Sequence, residues 1–85
     1  MIRIVFKGDV QGVGFRYFVK RFCEENVLTG FVRNMVNGNV EVVVRGGRAM
    51  IDKLIDECRK QTQITEAYTE DYVYKDTFTS FEIKR

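Results

Sequence analysis

The chain has 85 residues and a net charge of +2, from 14 Lys and Arg against 12 Asp and Glu. This length predicts a single domain over residues 1–85, and so small a charge predicts no general attraction to nucleic acid or to a membrane surface. The sequence contains no His and no Pro. Without His, a Ser-His-Asp triad, a Cys-His pair and a His-ligated zinc site are all excluded.

The two cysteines, Cys23 and Cys58, are too few for a zinc site of thiolates alone or for a disulfide-rich secreted scaffold. Both fall on apolar faces of expected helices, which favours two buried free thiols and leaves a disulfide between the helices as the alternative. No run of residues is long and apolar enough for a membrane span, and the N-terminus shows no signal-peptide pattern. We therefore expect a cytoplasmic protein.

Strand-like alternation opens the chain. Apolar and polar residues alternate over residues 2–6, which predicts a first strand. Three glycines follow within residues 8–14. Apolar residues then recur at helical spacing over residues 15–23, which predicts an amphipathic helix that ends before Gly30.

The middle of the chain predicts a hairpin. Residues 31–36 and 40–45 are rich in Val and other strand-forming residues. Asn37-Gly38 lies between them, and both residue types tolerate positive φ, which favours a tight turn of two residues. The two strands are therefore expected to pair antiparallel.

The rest of the chain predicts a helix and two strands, at residues 51–60, 64–74 and 78–84. The resulting order, βαββαβ with a short extra C-terminal strand, is the split βαβ arrangement of an α+β sandwich with an antiparallel sheet and both helices on one face. The first two strands then run the same way. This places the glycine loop after the first strand beside the end of the second strand, at Asn34.

The segment of residues 8–16, GDVQGVGFR, joins the first strand to the start of the helix. Its glycines let backbone N–H groups turn inward, and the helix start adds unpaired N–H groups and a positive dipole end, which together suit a phosphate-sized anion. Neither Val13 nor Gly14 offers a capping side chain, so an anion can take that place. Arg16 can present a bidentate guanidinium to two phosphate oxygens. An ordinary glycine-rich turn explains the same residues equally well, and neither the Walker A nor the dinucleotide fingerprint matches.

Asn34 is the second candidate, at the end of the second predicted strand. Its carboxamide can hold a water molecule by donating or accepting hydrogen bonds. The alternative is an Asn that only initiates the following turn. Arg33 alternates away from Asn34 and is expected to be a solvated charge.

These residues carry a resemblance to the acylphosphatase family that covers nearly the whole chain. Residues 8–16 match the family's first signature, G-x-V-Q-G-V-x-F-R, at every specified position. Residues 30–34, followed by Gly38, Val40 and Gly46, match the second signature, and residues 81–83 resemble the closing strand. The resemblance implies a ferredoxin-like two-layer α/β sandwich. It also implies hydrolysis of the carboxyl-phosphate bond of acyl phosphates to a carboxylate and inorganic phosphate.

The resemblance further implies the site residues. Arg16 would bind the phosphate and Asn34 would position the attacking water, as the two catalytic residues. The phosphate-binding loop would consist of Gln11, Gly12, Val13, Gly14, Phe15 and Arg16. No metal and no cofactor are expected, and the expected partners are the small-molecule acyl phosphate and its product, inorganic phosphate, with no nucleic acid, no membrane and a monomeric chain.

Two other functions remain as alternatives. RNA-binding modules share the ferredoxin-like sheet but carry stacking aromatic residues on their central strands, where residues 40–45 have Val and Glu instead. An acylphosphatase-like domain can also be catalytically silent and regulatory, or can handle carbamoyl phosphate, as in hydrogenase maturation factors. The signature residues would bind the phosphate and leave the identity of the acyl group unspecified. No protein side chain is an obvious general base.

Overall fold

The computed structural model describes residues 1–12, 14–75 and 77–84. Five strands and two helices follow one another in the predicted order, with the extra strand at the C-terminus. In chain order the elements are β1 (Ile2–Asp9), α1 (Phe15–Glu25), β2 (Thr29–Asn34), β3 (Val40–Arg45), α2 (Arg48–Gln61), β4 (Gln63–Asp71) and β5 (Phe81–Lys84). The βαββαβ prediction is therefore confirmed.

The five strands form one sheet in the order β4-β1-β3-β2-β5. Strand β3 is antiparallel to both β1 and β2, so β1 and β2 run in the same direction, as predicted. Strand β5 pairs parallel with β2. The four strands of the βαββαβ unit pair antiparallel, as predicted, and the extra strand β5 makes the whole sheet mixed, because the chain crosses from the β4 edge to the far edge before β5.

Both helices contribute to one core on the same face of the sheet. The core joins Val19 of α1 and Leu54 of α2 to strand residues such as Ile4 and Val42, all of which are fully buried. In an antiparallel pair, residues directly opposite each other point to the same face. The row formed by Ile4, Val42 and Val32 therefore faces the helices, and the alternating residues, both polar and apolar, point to the open face.

The hairpin between β2 and β3 differs from the prediction. Met35 N–H donates to the carbonyl of Asn39 at 2.8 Å and Gly38 N–H donates to the carbonyl of Met35 at 3.1 Å, so the loop has three residues, 36–38. Only Gly38 in this loop has positive φ, at +94°, as in hairpins that close with a left-handed glycine after a type I turn. The extra loop residue moves the register by one position and sets Arg33 opposite Glu41.

An ion network on the open face follows from that register. The two carboxylate oxygens of Glu41 accept hydrogen bonds from Arg33 Nε and Arg3 Nε, each at 2.5 Å, and Arg3 Nη1 donates to Glu70 at 2.9 Å. The Glu41 side chain is 7% exposed and that of Arg33 is 41% exposed. Arg33 therefore belongs to an ion network that links β1, β2, β3 and β4. The expectation that it is simply a solvated charge is wrong.

We expect the Glu41→Gln substitution to destabilise the fold by about 2 kcal/mol at pH 7. Removing one member of a buried ion pair costs about 3–5 kcal/mol, and partial exposure of the two arginines reduces that cost. Burial by itself would raise the pKa of Glu41, but the hydrogen bonds from Arg3 and Arg33 outweigh it and hold the pKa below its usual value. Urea unfolding of both proteins measures the difference.

The pH dependence of that difference follows from the depressed pKa of Glu41. Its stabilising effect is complete above the unfolded-state pKa, about 4.3, and is lost as the pH falls through the lower folded-state pKa. The difference in the free energy of unfolding between wild type and Glu41→Gln should therefore become smaller towards pH 3. A gap that stays constant from pH 7 to pH 3 would contradict the ionised role of Glu41.

Cys23 and Cys58 are both buried and both free. Burial raises the pKa of Cys23 to about 12 and raises that of Cys58 still further, which suppresses the reactive thiolate form. The favoured interpretation of two buried thiols is confirmed. In the part of the chain that the structure describes, the helices are 11 and 14 residues long, too short to span a bilayer, which takes roughly 20 apolar residues.

Candidate active site

The glycine loop and the start of α1 form a small cleft. Its lining residues are Gly12, Gly14, Phe15, Arg16 and Tyr17, and its volume is about 100 Å³. Gly12 and Gly14 have φ of +83° and +77°, which side-chain-bearing residues rarely adopt. Gly14 caps α1 without any side-chain hydrogen bond, as the sequence predicted. Val13, which the sequence assigns to the same loop, lies outside the described residues.

The first intrahelical hydrogen bond of α1 is made by Phe18 N–H, which donates to the carbonyl of Gly14 at 3.0 Å. Phe15 N–H already donates to the carbonyl of Gly12 at 3.3 Å, so the N–H groups that an anion can accept hydrogen bonds from are those of the rest of the first turn. Arg16 stands in this first turn and is half-buried. Within residues 1–12, 14–75 and 77–84 its guanidinium forms no ion pair with an acidic side chain. The helix start therefore presents positive charge that no described carboxylate neutralises.

Asn34 lies at the same end of the sheet as this cleft. It stands opposite Val40, which stands opposite Phe6 on the other side. The three residues form the last row on the helix-covered face, and the row spans two strand spacings, about 10 Å. Phe15, the first residue of α1, packs edge-on against Phe6 with ring centroids 5.5 Å apart. The start of α1 is therefore anchored on the row that ends in Asn34.

The side-chain oxygen of Asn34 is an unsatisfied polar atom. It is buried from solvent and accepts no hydrogen bond from any residue that the structure describes. Leaving such an acceptor unpaired costs about 1–3 kcal/mol, and buried polar atoms in folded proteins usually have a protein or water partner. The Asn34 oxygen is thus placed to take a hydrogen bond from a small molecule at this end of the sheet.

Gln11 ties the loop to the hairpin that follows Asn34. Its side-chain nitrogen donates to the carbonyls of Met35 and Asn39, at 2.7 and 2.9 Å. The base of the loop is held from the other side, since the Thr62 hydroxyl donates to the carbonyl of Asp9. The sequence predicts Gln11 as one of the phosphate-binding residues, whereas the structure shows its carboxamide holding the loop against the hairpin.

We expect the Gln11→Ala substitution to lower kcat/KM for the acyl phosphate that the resemblance implies as substrate by about tenfold, the cost of losing hydrogen bonds worth about 0.5–1.5 kcal/mol each. The loop would keep its glycines and Arg16 but lose its link to the hairpin. Gln61→Ala, an exposed carboxamide at the end of α2, is the matched control. Equal activity of Gln11→Ala and Gln61→Ala would show that the link does not position the loop.

A larger cavity of about 400 Å³ lies on the open face, between β1, β4 and the hairpin. None of the described residues of the glycine loop lines this cavity. Its charged residues Arg3 and Lys7 are already paired with Glu70 and Glu66. In the described residues, no group of three His, Cys, Asp or Glu side chains is arranged to hold a metal ion. The cleft at α1 is therefore the candidate active site.

The sequence model of the acylphosphatase family matches residues 2–83. The chain belongs to the acylphosphatase family. The glycine loop, Arg16 and Asn34 all lie within the matched range, as does Gln11. The recognition made from the two signatures is therefore confirmed.

Relatives and solved structures agree with this assignment. An acylphosphatase of Caldivirga maquilingensis is 36% identical over 87 residues, covering 98% of this chain and 92% of the relative. An acylphosphatase of Moorella thermoacetica is 54% identical over 54 residues, covering 64% of this chain and 58% of the relative. The crystal structure of acylphosphatase from Bacillus subtilis has a TM-score of 0.86 at 28% identity and covers 99% of this chain and 97% of that one.

Two features of the acylphosphatase site were missed by reasoning from the sequence. The anchoring bonds of Gln11 depend on where the hairpin backbone lies, and the sequence carries no signal for that. Tyr17 lines the cleft, and its position directly after Arg16 in the first helical turn was a signal that it lies close to any ligand of the helix start.

Proposed function

We propose that the glycine loop and Arg16 hold the phosphoryl group of an acyl phosphate while Asn34 positions the attacking water. The chain is an acylphosphatase, a hydrolase of acyl phosphates, by its family. The observation that carries the proposed roles is the buried side-chain oxygen of Asn34, which accepts no hydrogen bond from any described residue. Gln11 of the loop donates to the carbonyl of Met35, the residue after Asn34, so a water that donates to the Asn34 oxygen would lie near a phosphoryl group held by the loop.

The chemistry needs little from the protein beyond placement. Water attacks phosphorus, the bond between phosphorus and the acyl oxygen breaks, and the carboxylate leaves with the electron pair. The conjugate acid of that carboxylate has a pKa of roughly 4, so the leaving group departs without a general acid. The water's proton passes to a phosphoryl oxygen of the substrate, which explains how a chain without His can catalyse the reaction.

The residues of the cleft supply charge and geometry. Phosphoryl transfer depends mainly on positioning and on neutralising the peripheral oxygens. Arg16 with the N–H groups of the loop and helix start provides these for the three peripheral oxygens. Asn34 aligns water on the side opposite the leaving carboxylate, and Gln11 keeps the loop and the Asn34 end of β2 at a constant separation.

The proposed reaction uses no general acid, which limits the substrates. Alkyl phosphates expel an alkoxide, a far poorer leaving group than a carboxylate, and we expect them to be stable in the presence of this protein. The substrates are then small molecules with a carboxyl-phosphate bond. A single domain, a monomeric state, a cytoplasmic location and the absence of nucleic-acid binding stay predictions.

Hydrolysis of benzoyl phosphate with EDTA present tests the proposed function. We expect turnover, competitive inhibition by inorganic phosphate and no hydrolysis of glycerol phosphate under the same conditions. A protein that binds phosphate but hydrolyses neither compound would be the silent regulatory domain instead. That alternative is not favoured, because the Caldivirga and Bacillus proteins, which match over more than nine-tenths of their own length, are named acylphosphatases.

A further inference from the structure

The size of the cleft limits what it can enclose. Its volume is about 100 Å³, small beside the roughly 300–1,000 Å³ of pockets that enclose a whole small-molecule ligand. A phosphoryl group with its four oxygens fills such a space. An acyl group of any size must therefore lie outside the cleft, at its mouth.

The orientation of the bound substrate also places the acyl group at the mouth of the cleft. On the proposed function, on which this inference rests, the loop and Arg16 hold the three peripheral oxygens and water lies near Asn34. In-line displacement then directs the fourth oxygen, and the acyl group attached to it, away from Asn34. The acyl group meets the residues around the mouth.

Of the five described residues that line the cleft, four have no free side-chain surface for the acyl group. Gly12 and Gly14 have no side chain, Phe15 is 2% exposed within the core, and Arg16 is assigned to the phosphate. Tyr17 is the remaining one, with 57% of its surface exposed. Exposed aromatic residues are common on protein surfaces, so the argument depends on the position of Tyr17 and not on its exposure.

We infer that Tyr17 is a specificity-determining residue whose ring packs against the acyl group, and that the site favours acyl phosphates with an aromatic acyl group. The ring has a flat apolar face, and two aromatic groups in contact gain free energy beyond that of simple burial. A small acyl group such as acetyl offers little surface to this ring. The preference for an aromatic acyl group arises at the mouth of the cleft, so it does not depend on how tightly the phosphate is bound.

The test compares benzoyl phosphate with acetyl phosphate in wild type, Tyr17→Ala and Tyr17→Phe. We expect Tyr17→Ala to lower the ratio of the two kcat/KM values, benzoyl over acetyl, by about five- to tenfold, the size of one aromatic contact. Tyr17→Phe should keep the wild-type ratio, because it keeps the ring. The inhibition constant of inorganic phosphate should stay within about twofold in Tyr17→Ala, as expected for a residue that contacts the acyl group only.

Tyr68→Ala is the matched control. Tyr68 is 51% exposed on the edge strand β4 and lines the larger cavity on the open face, so its removal should leave the ratio unchanged. An unchanged ratio in Tyr17→Ala, or an equal loss in Tyr17→Phe, overturns the inference while the proposed function stands. Wild type that hydrolyses neither compound overturns the proposed function, and the inference with it.

Discussion

Replacing Arg16 with Ala is expected to reduce kcat/KM for benzoyl phosphate by at least about 10³-fold, the scale on which arginines that neutralise phosphoryl oxygens contribute. Inhibition by inorganic phosphate should be lost in the same variant, because in the proposed mechanism Arg16 contacts the phosphoryl group both in the ground state and in the transition state. Steady-state kinetics and phosphate titration measure the two effects. The substitution should not weaken the fold, since Arg16 has no carboxylate partner among the described residues and Ala favours helix formation.

Two variants separate the role of Arg16 from a general loss of charge. Arg21→Ala removes an exposed arginine from the same helix and should leave turnover within about twofold, the range of ordinary surface changes. Arg16→Lys keeps the charge but loses the planar pair of donors, and should recover only a small part of the activity. Normal phosphate inhibition in Arg16→Ala would remove Arg16 from the site.

Much of the fold and of the site was predictable from local patterns. Apolar spacing predicted helix α1, and strand alternation with the βαββαβ order predicted that β1 and β2 run the same way. This topology alone sets the loop after β1 beside the end of β2. It follows that Arg16 and Asn34, which are 18 positions apart in the chain, lie at one end of the molecule.

The details that failed depend on register. Asn37-Gly38 predicts a loop of two residues, which would have set Arg33 opposite Val42 and Asn34 opposite Glu41. The structure has a loop of three residues, and a shift of one position changes every cross-strand partner. The buried ion network of Arg33 and Glu41, and the carbonyl acceptors of Gln11, both follow from that shift and have no signature in local sequence.

The same register explains why Asn34 has an unpartnered oxygen. With Asn34 opposite Val40, its side chain lies in the last row on the helix-covered face, where the described residues donate no hydrogen bond to its oxygen. A purely structural Asn at the end of a strand would be expected to bond a neighbouring backbone group. Because leaving such an oxygen unpaired would cost about 1–3 kcal/mol, its position is better explained by a bound water or ligand than by the turn.

Replacing Asn34 with Ala is expected to lower kcat for benzoyl phosphate by about 10²–10³-fold, the loss seen when one preorganised polar group is removed from an active site. The inhibition constant of inorganic phosphate should change by less than about threefold, since the loop and Arg16 remain. Turnover would then be lost while phosphate binding is kept. A defect in the phosphate-binding loop or Arg16 would instead weaken phosphate binding. The fold should be as stable as wild type or more stable, because the substitution removes a buried oxygen that accepts no hydrogen bond from the described residues.

Asn26→Ala is the matched control for that prediction. Asn26 follows the C-terminal end of α1, where its side-chain nitrogen donates to the carbonyl of Phe22 at 2.8 Å. Removing that carboxamide should lower stability by about 1 kcal/mol and leave kcat unchanged. The two substitutions should therefore have different effects. Asn34→Ala should lower turnover without lowering stability, and Asn26→Ala should lower stability without lowering turnover. If Asn34→Ala instead loses phosphate inhibition together with turnover, Asn34 belongs to the phosphate cradle and the water must be positioned by another group.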